Sequence, residues 1–340
     1  MRFRHLPVYL LLFSLGLPTL AFAAEEVNLY SARKENLIKP LLDRFTKETG
    51  IQVNLVTGKA DALLQRLVSE GPNSPADLLI TTDAGRLGRA KTAGVTQAVV
   101  SSELESRIPA SFRDPEGHWF GLSLRARPIL YVKGEVDPVS LSTYEDLAAP
   151  RWKGQICIRS SENIYNQSLV ASMIAADGEA ATETWAKGLV ANMARPPKGG
   201  DRDQILAAAA GVCKIAIANT YYLAGMLTSN DEVQRQSAER MAVFWPNQAG
   251  RGAHVNVSGA SLTKAAKHRE NAIKLLEFLV GEEAQAWYAE TNGEYPVREG
   301  VPAGELLNGW GKFKMDSLNL SRLGELNPQA VRLMDRAGWK

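Results

Sequence analysis

Cysteine is almost absent from this 340-residue sequence; only Cys157 and Cys213 occur. Two cysteines so far apart cannot form a C-x-x-C redox motif or a cysteine-rich zinc site. Histidine is equally sparse, and beyond the first residues only His118, His254 and His268 remain, none in a paired metal-ligand spacing. The chain has no G-x-S-x-G elbow and no Walker loop, which removes the common hydrolase and nucleotide-binding signatures. The glycines of Gly85-Arg86-Leu87-Gly88 are too few to cradle a phosphate. His268 opens a lysine-rich amphipathic stretch and reads as solvated, and His118 reads as a loop residue. A charge excess is missing too, with 39 Lys+Arg against 37 Asp+Glu. Two of those cations, Arg2 and Arg4, lie in a leader, so the remainder is neutral and is not expected to bind nucleic acid or an anionic membrane. After the leader, no run approaches the ~20 apolar residues of a membrane span.

The leader is the first thing present. A basic start at Arg2 and Arg4 precedes an apolar run over 8–20, and Ala21-Phe22-Ala23 supplies a small-x-small cleavage site. Residues 1–23 are expected to be a secretory signal peptide, so the mature chain is expected to be soluble and exported. No cysteine lies near the cut, so no lipid anchor is expected there. An oxidising compartment favours a Cys157–Cys213 disulfide, with two buried thiols as the alternative.

Along the chain, apolar periodicity alternates between strand and helix. Residues 27–30 and 51–56 read as strands, with a helix between them whose apolar face includes Leu37, Ile38, Leu41, Leu42 and Phe45. Pro40 is awkward in that helix unless it falls in the first turn, and Gly50 is a natural stop. A second helix carries Leu63, Leu64, Leu67 and Val68, and residues 76–80 form a strand apolar throughout. This β-α-β-α-β order predicts parallel pairing with right-handed crossovers. Two strands flank Arg125-Ala126-Arg127 and are expected to mark the passage into a second lobe. The expected division is residues 24–124 with 254–300 for one lobe, and 125–253 with 301–340 for the other.

Tyrosine is where chemistry gathers. Tyr30 ends the first strand, Tyr165 opens a helix after a serine-rich turn, and Tyr221-Tyr222 follows the apolar run 212–217. Ends of strands in an α/β sheet are where ligands usually bind. Adjacent residues of a strand face opposite ways, so both phenols of the pair converge only if the backbone leaves strand geometry there. Otherwise one packs in the core. Phenolate is a hard anionic oxygen donor suited to Fe³⁺, and a bound cation would favour it over the phenol, which titrates near pH 10. Several phenolates need positive charge nearby, for which Arg33, Arg125 and Arg127 are candidates.

The sequence resembles the periplasmic ferric-iron-binding proteins, substrate-binding subunits of iron ABC importers. The carrying segments are NLYSAR at 28–33, SPADLLITTDAG at 74–85, DPEGHWFGLSLRAR at 114–127, STYEDLAAPRWKGQICIRSSENIYNQSLVA at 142–171, ARPPKGGD at 194–201 and ANTYYLA at 218–224. The resemblance implies an α/β, two-lobe, hinge-bending binding protein of type II, with no enzymatic activity. It matches Tyr30, Tyr165, Tyr221 and Tyr222 to iron-ligating tyrosines and Arg125 to an arginine beside them. It implies Fe³⁺ as cargo, with Fe²⁺ as a second possibility, and a synergistic anion or water completing the coordination. The implied partner is an ABC permease and the implied state a monomer. Relatives often carry arginine where this chain has Gly225, and some carry histidine where it has Leu29, so no nitrogen ligand is implied. The same fold could instead bind a polyamine, thiamine or an inorganic anion, and a secreted hydrolase is the reading from another class.

Overall fold

The computed structural model describes residues 25–340; the expected signal peptide lies outside them. The strands are β1 (Glu26–Ser31), β2 (Gln52–Thr57), β3 (Leu78–Thr82), β4 (Phe120–Ala126), β5 (Ile129–Val132), β6 (Ile156–Cys157), β7 (Ile215–Ile217), β8 (Met241–Phe244), β9 (Val255–Leu262) and β10 (Tyr295–Pro296). The helices of the first half are α1 (Glu35–Thr49), α2 (Ala60–Glu70), α3 (Ala84–Thr92), α4 (Ser102–Arg107), α5 (Ile164–Asp177) and α6 (Glu179–Ala191). Those of the second half are α7 (Asp201–Ala209), α8 (Thr220–Leu227), α9 (Glu232–Glu239), α10 (Arg269–Leu279), α11 (Glu282–Asn292), α12 (Glu305–Asn308), α13 (Ser321–Glu325) and α14 (Asn327–Arg336). No helix among the described residues is long and apolar enough to cross a membrane.

Two mixed sheets organise two lobes. The first has strand order β10-β4-β9-β3-β1-β2 and the second β6-β7-β5-β8. The expected β-α-β-α-β start is present, since β1 pairs in parallel with both β2 and β3. Helix α1 forms because Ile38, Leu41, Leu42 and Phe45 make one buried stripe. It runs through Pro40, its sixth residue, rather than starting there. The lost hydrogen bond to Asn36 costs less than giving up that buried face.

The chain passes between the sheets twice. Strand β4 stays in the first sheet to Ala126, two residues beyond the expected division at Leu124, and β5 already belongs to the second. The return comes between β8 and β9. Strands β8 and β9, consecutive in the chain, therefore lie in different sheets. At the C-terminus α14 packs on α5 and α6 of the second lobe, while α13 reaches α3 of the first.

Cys157 and Cys213 form a disulfide, with Cα atoms 6.0 Å apart and a sequence separation of 56. It ties β6 to the segment entering β7, which pair in parallel through two residues only. Closing a loop of this length stabilises the fold by about 4 kcal/mol in the chain-entropy account. Thiol titration of the unfolded, unreduced protein is expected to find no free thiol. The reduced protein should unfold at clearly lower denaturant; an unchanged midpoint would show that the bridge contributes nothing.

Candidate metal centre

Strand β7 ends at Ile217, and α8 starts at Thr220, which puts Tyr221 and Tyr222 in the first turn of a helix rather than on a strand. That departure lets neighbouring phenols lie side by side, with ring centroids 4.3 Å apart and planes tilted by 36°. Tyr165 lies in the first turn of α5, where the Asn163 side chain caps its backbone N–H at 3.0 Å. The Tyr221 hydroxyl donates to the Tyr165 hydroxyl at 3.1 Å. Three partly accessible phenols thus meet at the N-termini of two helices. The positive ends of the helix dipoles favour negative charge there.

Arg127, expected near the phenols, is what gathers their carriers. Its guanidinium is buried and donates to Asp201 at the start of α7 and to Asn219 before α8, each at 2.9 Å, and to Asn166 on α5 at 2.7 Å. Asn219 therefore spends its side chain on Arg127 and does not cap α8 itself. Arg125 reaches across from the first lobe, its charge 5.6 Å from the Tyr165 ring centre, with its own N–H groups on Ser258 and the Val257 carbonyl. Arg33 is held by Ser123 and Glu294, each at 2.6 Å, and its charge acts on Tyr221.

Burial pushes the Tyr221 phenol well above its ordinary value, the neighbouring Tyr165 and Tyr222 push it further, and Arg125 opposes them. Tyr222 is pushed up to about 12 by burial, then by Tyr165 and Asp201, against the Tyr221 hydrogen bond and Arg159. Both are protonated at neutral pH, so a cation that used these oxygens would have to displace protons. Burial would raise Glu294 as well, but Arg33 and Arg125 outweigh it and hold the carboxyl below the usual carboxylate range.

Tyr30 does not join the other three. Its neighbour Leu29 faces the main core, so strand alternation turns Tyr30 to the opposite side. There it is buried among Leu63, Leu64 and Leu67 of α2, and its hydroxyl donates to Glu70 at 2.9 Å. Burial, then the Glu70 hydrogen bond, raises its pKa. Strand position alone does not say which face of β1 looks at the cleft, so the expectation placed Tyr30 with the others.

Several surrounding groups escaped sequence reasoning. Arg159 stands 5.8 Å from the Tyr165 ring centre, and Asp201 pairs with Arg127. Arg159 just follows a strand end, the same signal that singled out the tyrosine pair. Glu294 carries no local signal at all. Arg202 stands 5.6 Å from the Tyr222 ring centre, and a Cβ on Gly225 would lie 3.3 Å from its Nη2. Glycine at 225 thus leaves room for a guanidinium from α7. Among the described residues no three His, Cys, Asp or Glu side chains are grouped where they could hold a metal ion. The side chains that do converge are phenols.

Two lobes, each built on a mixed sheet, with a polar cluster at helix N-termini between them define a solute-binding protein. Residues 73–312 match the bacterial extracellular solute-binding protein family. The chain is 52% identical over 316 residues to iron uptake protein A1 of Synechocystis, covering 93% of this chain and 88% of that one. A solved structure of FutA from Trichodesmium, in complex with iron and citrate, superposes with a TM-score of 0.91 at 53% identity, covering 93% of this chain and all of the other. The ferric binding protein from Campylobacter jejuni superposes with a TM-score of 0.87 at 39% identity, over 92% of this chain and all of its own. The chain belongs to the bacterial extracellular solute-binding proteins, in the branch of the periplasmic ferric-iron-binding proteins, and is a binding protein rather than an enzyme.

Tyr30→Phe should lose the hydrogen bond to Glu70 and about 1 kcal/mol of folding stability. Ferric binding measured by titration should match the wild type; a weakened affinity would place Tyr30 among the ligands after all.

Proposed function

We propose that this chain is exported, binds ferric iron in the periplasm and delivers it to an ABC-type permease, with the ion held by the phenolates of Tyr165, Tyr221 and Tyr222. The observation that carries the reading is the convergence of these phenols at two helix N-termini, ringed by Arg125, Arg159 and Arg202. Tyr30 is left out of the ligand set because its hydroxyl is committed to Glu70. Three phenolates neutralise Fe³⁺, and Fe²⁺ with its smaller charge gains less from them.

The arginines then carry surplus positive charge facing the ion. An anionic co-ligand such as citrate, present beside iron in the Trichodesmium relative, would meet that charge and fill the remaining coordination positions. The same arginines disfavour a polyamine or thiamine, both cationic. The donors and Arg125 belong to opposite lobes, so capture would bias a hinge toward closure, and the closed monomer is the form a permease would recognise.

Because Tyr221 and Tyr222 are protonated in the free protein, ferric binding must release protons. Tyr222→Phe removes one oxygen and almost no volume. Its ferric affinity should fall at least about tenfold, roughly 1.4 kcal/mol, with a weaker or shifted charge-transfer band and fewer protons released at pH 7. Wild-type affinity and spectra in both Tyr222→Phe and Tyr221→Phe would refute the phenolate reading. An inorganic anion bound without iron would point to the alternative cargo.

A further inference from the structure

Asp83, between β3 and α3, has a backbone that an L-residue rarely adopts, with φ 83° and ψ 126°. Such strain persists only where the surroundings over-determine it. Its side chain is fully buried and is occupied by neutral donors. One carboxylate oxygen accepts from the Gly85 N–H at 2.8 Å and from the Ser168 hydroxyl at 2.6 Å, and the other from the Asn256 side chain at 2.9 Å. Gly85 and Asn256 belong to the first lobe, and Ser168 to α5 of the second. Capping of α3 needs only Gly85, so the bond to Ser168 is an addition to that role.

The contact is close along its length. A Cβ on Gly85 would lie 3.1 Å from the Ile164 side chain and 3.3 Å from the Ser168 hydroxyl, and one on Gly88 2.9 Å from the Gly324 Cα of α13. Arg86, between these glycines, faces both Asp83 and Tyr165. Ser168 lies three residues after Tyr165, one turn along the same helical face.

We propose that Asp83 is a positioning residue for the tyrosine cluster: by gripping Ser168 across the lobe boundary it fixes the first turn of α5, and with it the Tyr165 phenol, against the first lobe. The role in metal binding rests on the phenolate reading above; the clamp itself does not.

Two variants test it; Ser168→Ala leaves the α3 cap untouched, whereas Gly85→Ala also sets its Cβ 3.0 Å from the capping Asp83 carboxylate. Ser168→Ala removes one hydroxyl, and Gly85→Ala keeps both partners but wedges a methyl group between the helices. Spin labels at Lys59 and Glu232, exposed on opposite lobes, report interlobe distances in the full mature chain without iron. Both variants are expected to broaden and shift that distribution at temperatures well below the thermal midpoint, which the lost or crowded contact at a buried carboxylate lowers as well. With ferric iron added, both should show a displaced charge-transfer band and faster iron release to a competing chelator. A wild-type distribution in both variants would overturn the clamp. A changed distribution with wild-type spectrum and release would overturn the positioning role. The phenolate reading is judged separately by Tyr222→Phe, so failure of one is not mistaken for failure of the other.

Discussion

The buried ion pair between Arg127 and Asp201 is the interaction on which the rest of the second lobe's site depends. Its side chains are 1% and 0% exposed, and the guanidinium and carboxylate together touch the starts of α5, α7 and α8. Burying two charges is costly, and an apolar pair of the same size would often be as stable. Apolar side chains, however, could not hold three helix N-termini at defined angles. Removing either partner would leave a naked charge in the core, typically a loss of 3–5 kcal/mol. The convergence of Tyr165, Tyr221 and Tyr222 follows from this one node, because each stands in the first turn of a helix that it anchors.

Around that node the charges are arranged for two states. Without a cation Tyr221 and Tyr222 are neutral, and Tyr221 donates to Tyr165. Glu294 pairs with Arg33, Asp201 with Arg127 and Arg159, and Arg125 donates to a backbone carbonyl; with Arg202, five guanidinium groups around two carboxylates leave the free site positive. Burial, which raises the pKa values of Tyr221 and Tyr222, also weakens competition from water for whatever replaces their protons. The same low-polarity surroundings thus hold the protons firmly and would hold a trivalent cation more firmly still.

Much of the fold was legible because it rests on periodicity. The strand-helix alternation of the first hundred residues, the paired cysteines and the tyrosine positions at element ends all leave local marks. What did not leave a mark was side. Period-two alternation says that Leu29 and Tyr30 face opposite ways but not which of them meets the cleft; only the packing of α2 decides that, and it claims Tyr30. The sequence marks Arg127 only as a charge near the tyrosines; its role as the joint behind them comes from packing. Glu294 was invisible because its partners Arg33 and Ser123 lie 261 and 171 residues away in the chain. Pro40 misled in the other direction, since a local rule against proline yielded to a buried helix face.

The disulfide gives the cluster a history as well as a geometry. Strands β6 and β7 lead, respectively, toward Tyr165 and toward the tyrosine pair, and they share only two registered pairs. Cys157–Cys213 is the covalent tie between these two arms. In a reducing cytosol that tie would stay open, and the arms would be aligned by a minimal ladder. On the phenolate reading proposed above, oxidation would be a step of maturation that precedes a well-spaced set of phenols. A chain still inside the cell would be a poorer chelator than the same chain outside it, which would keep an unexported precursor from sequestering metal in the compartment that made it.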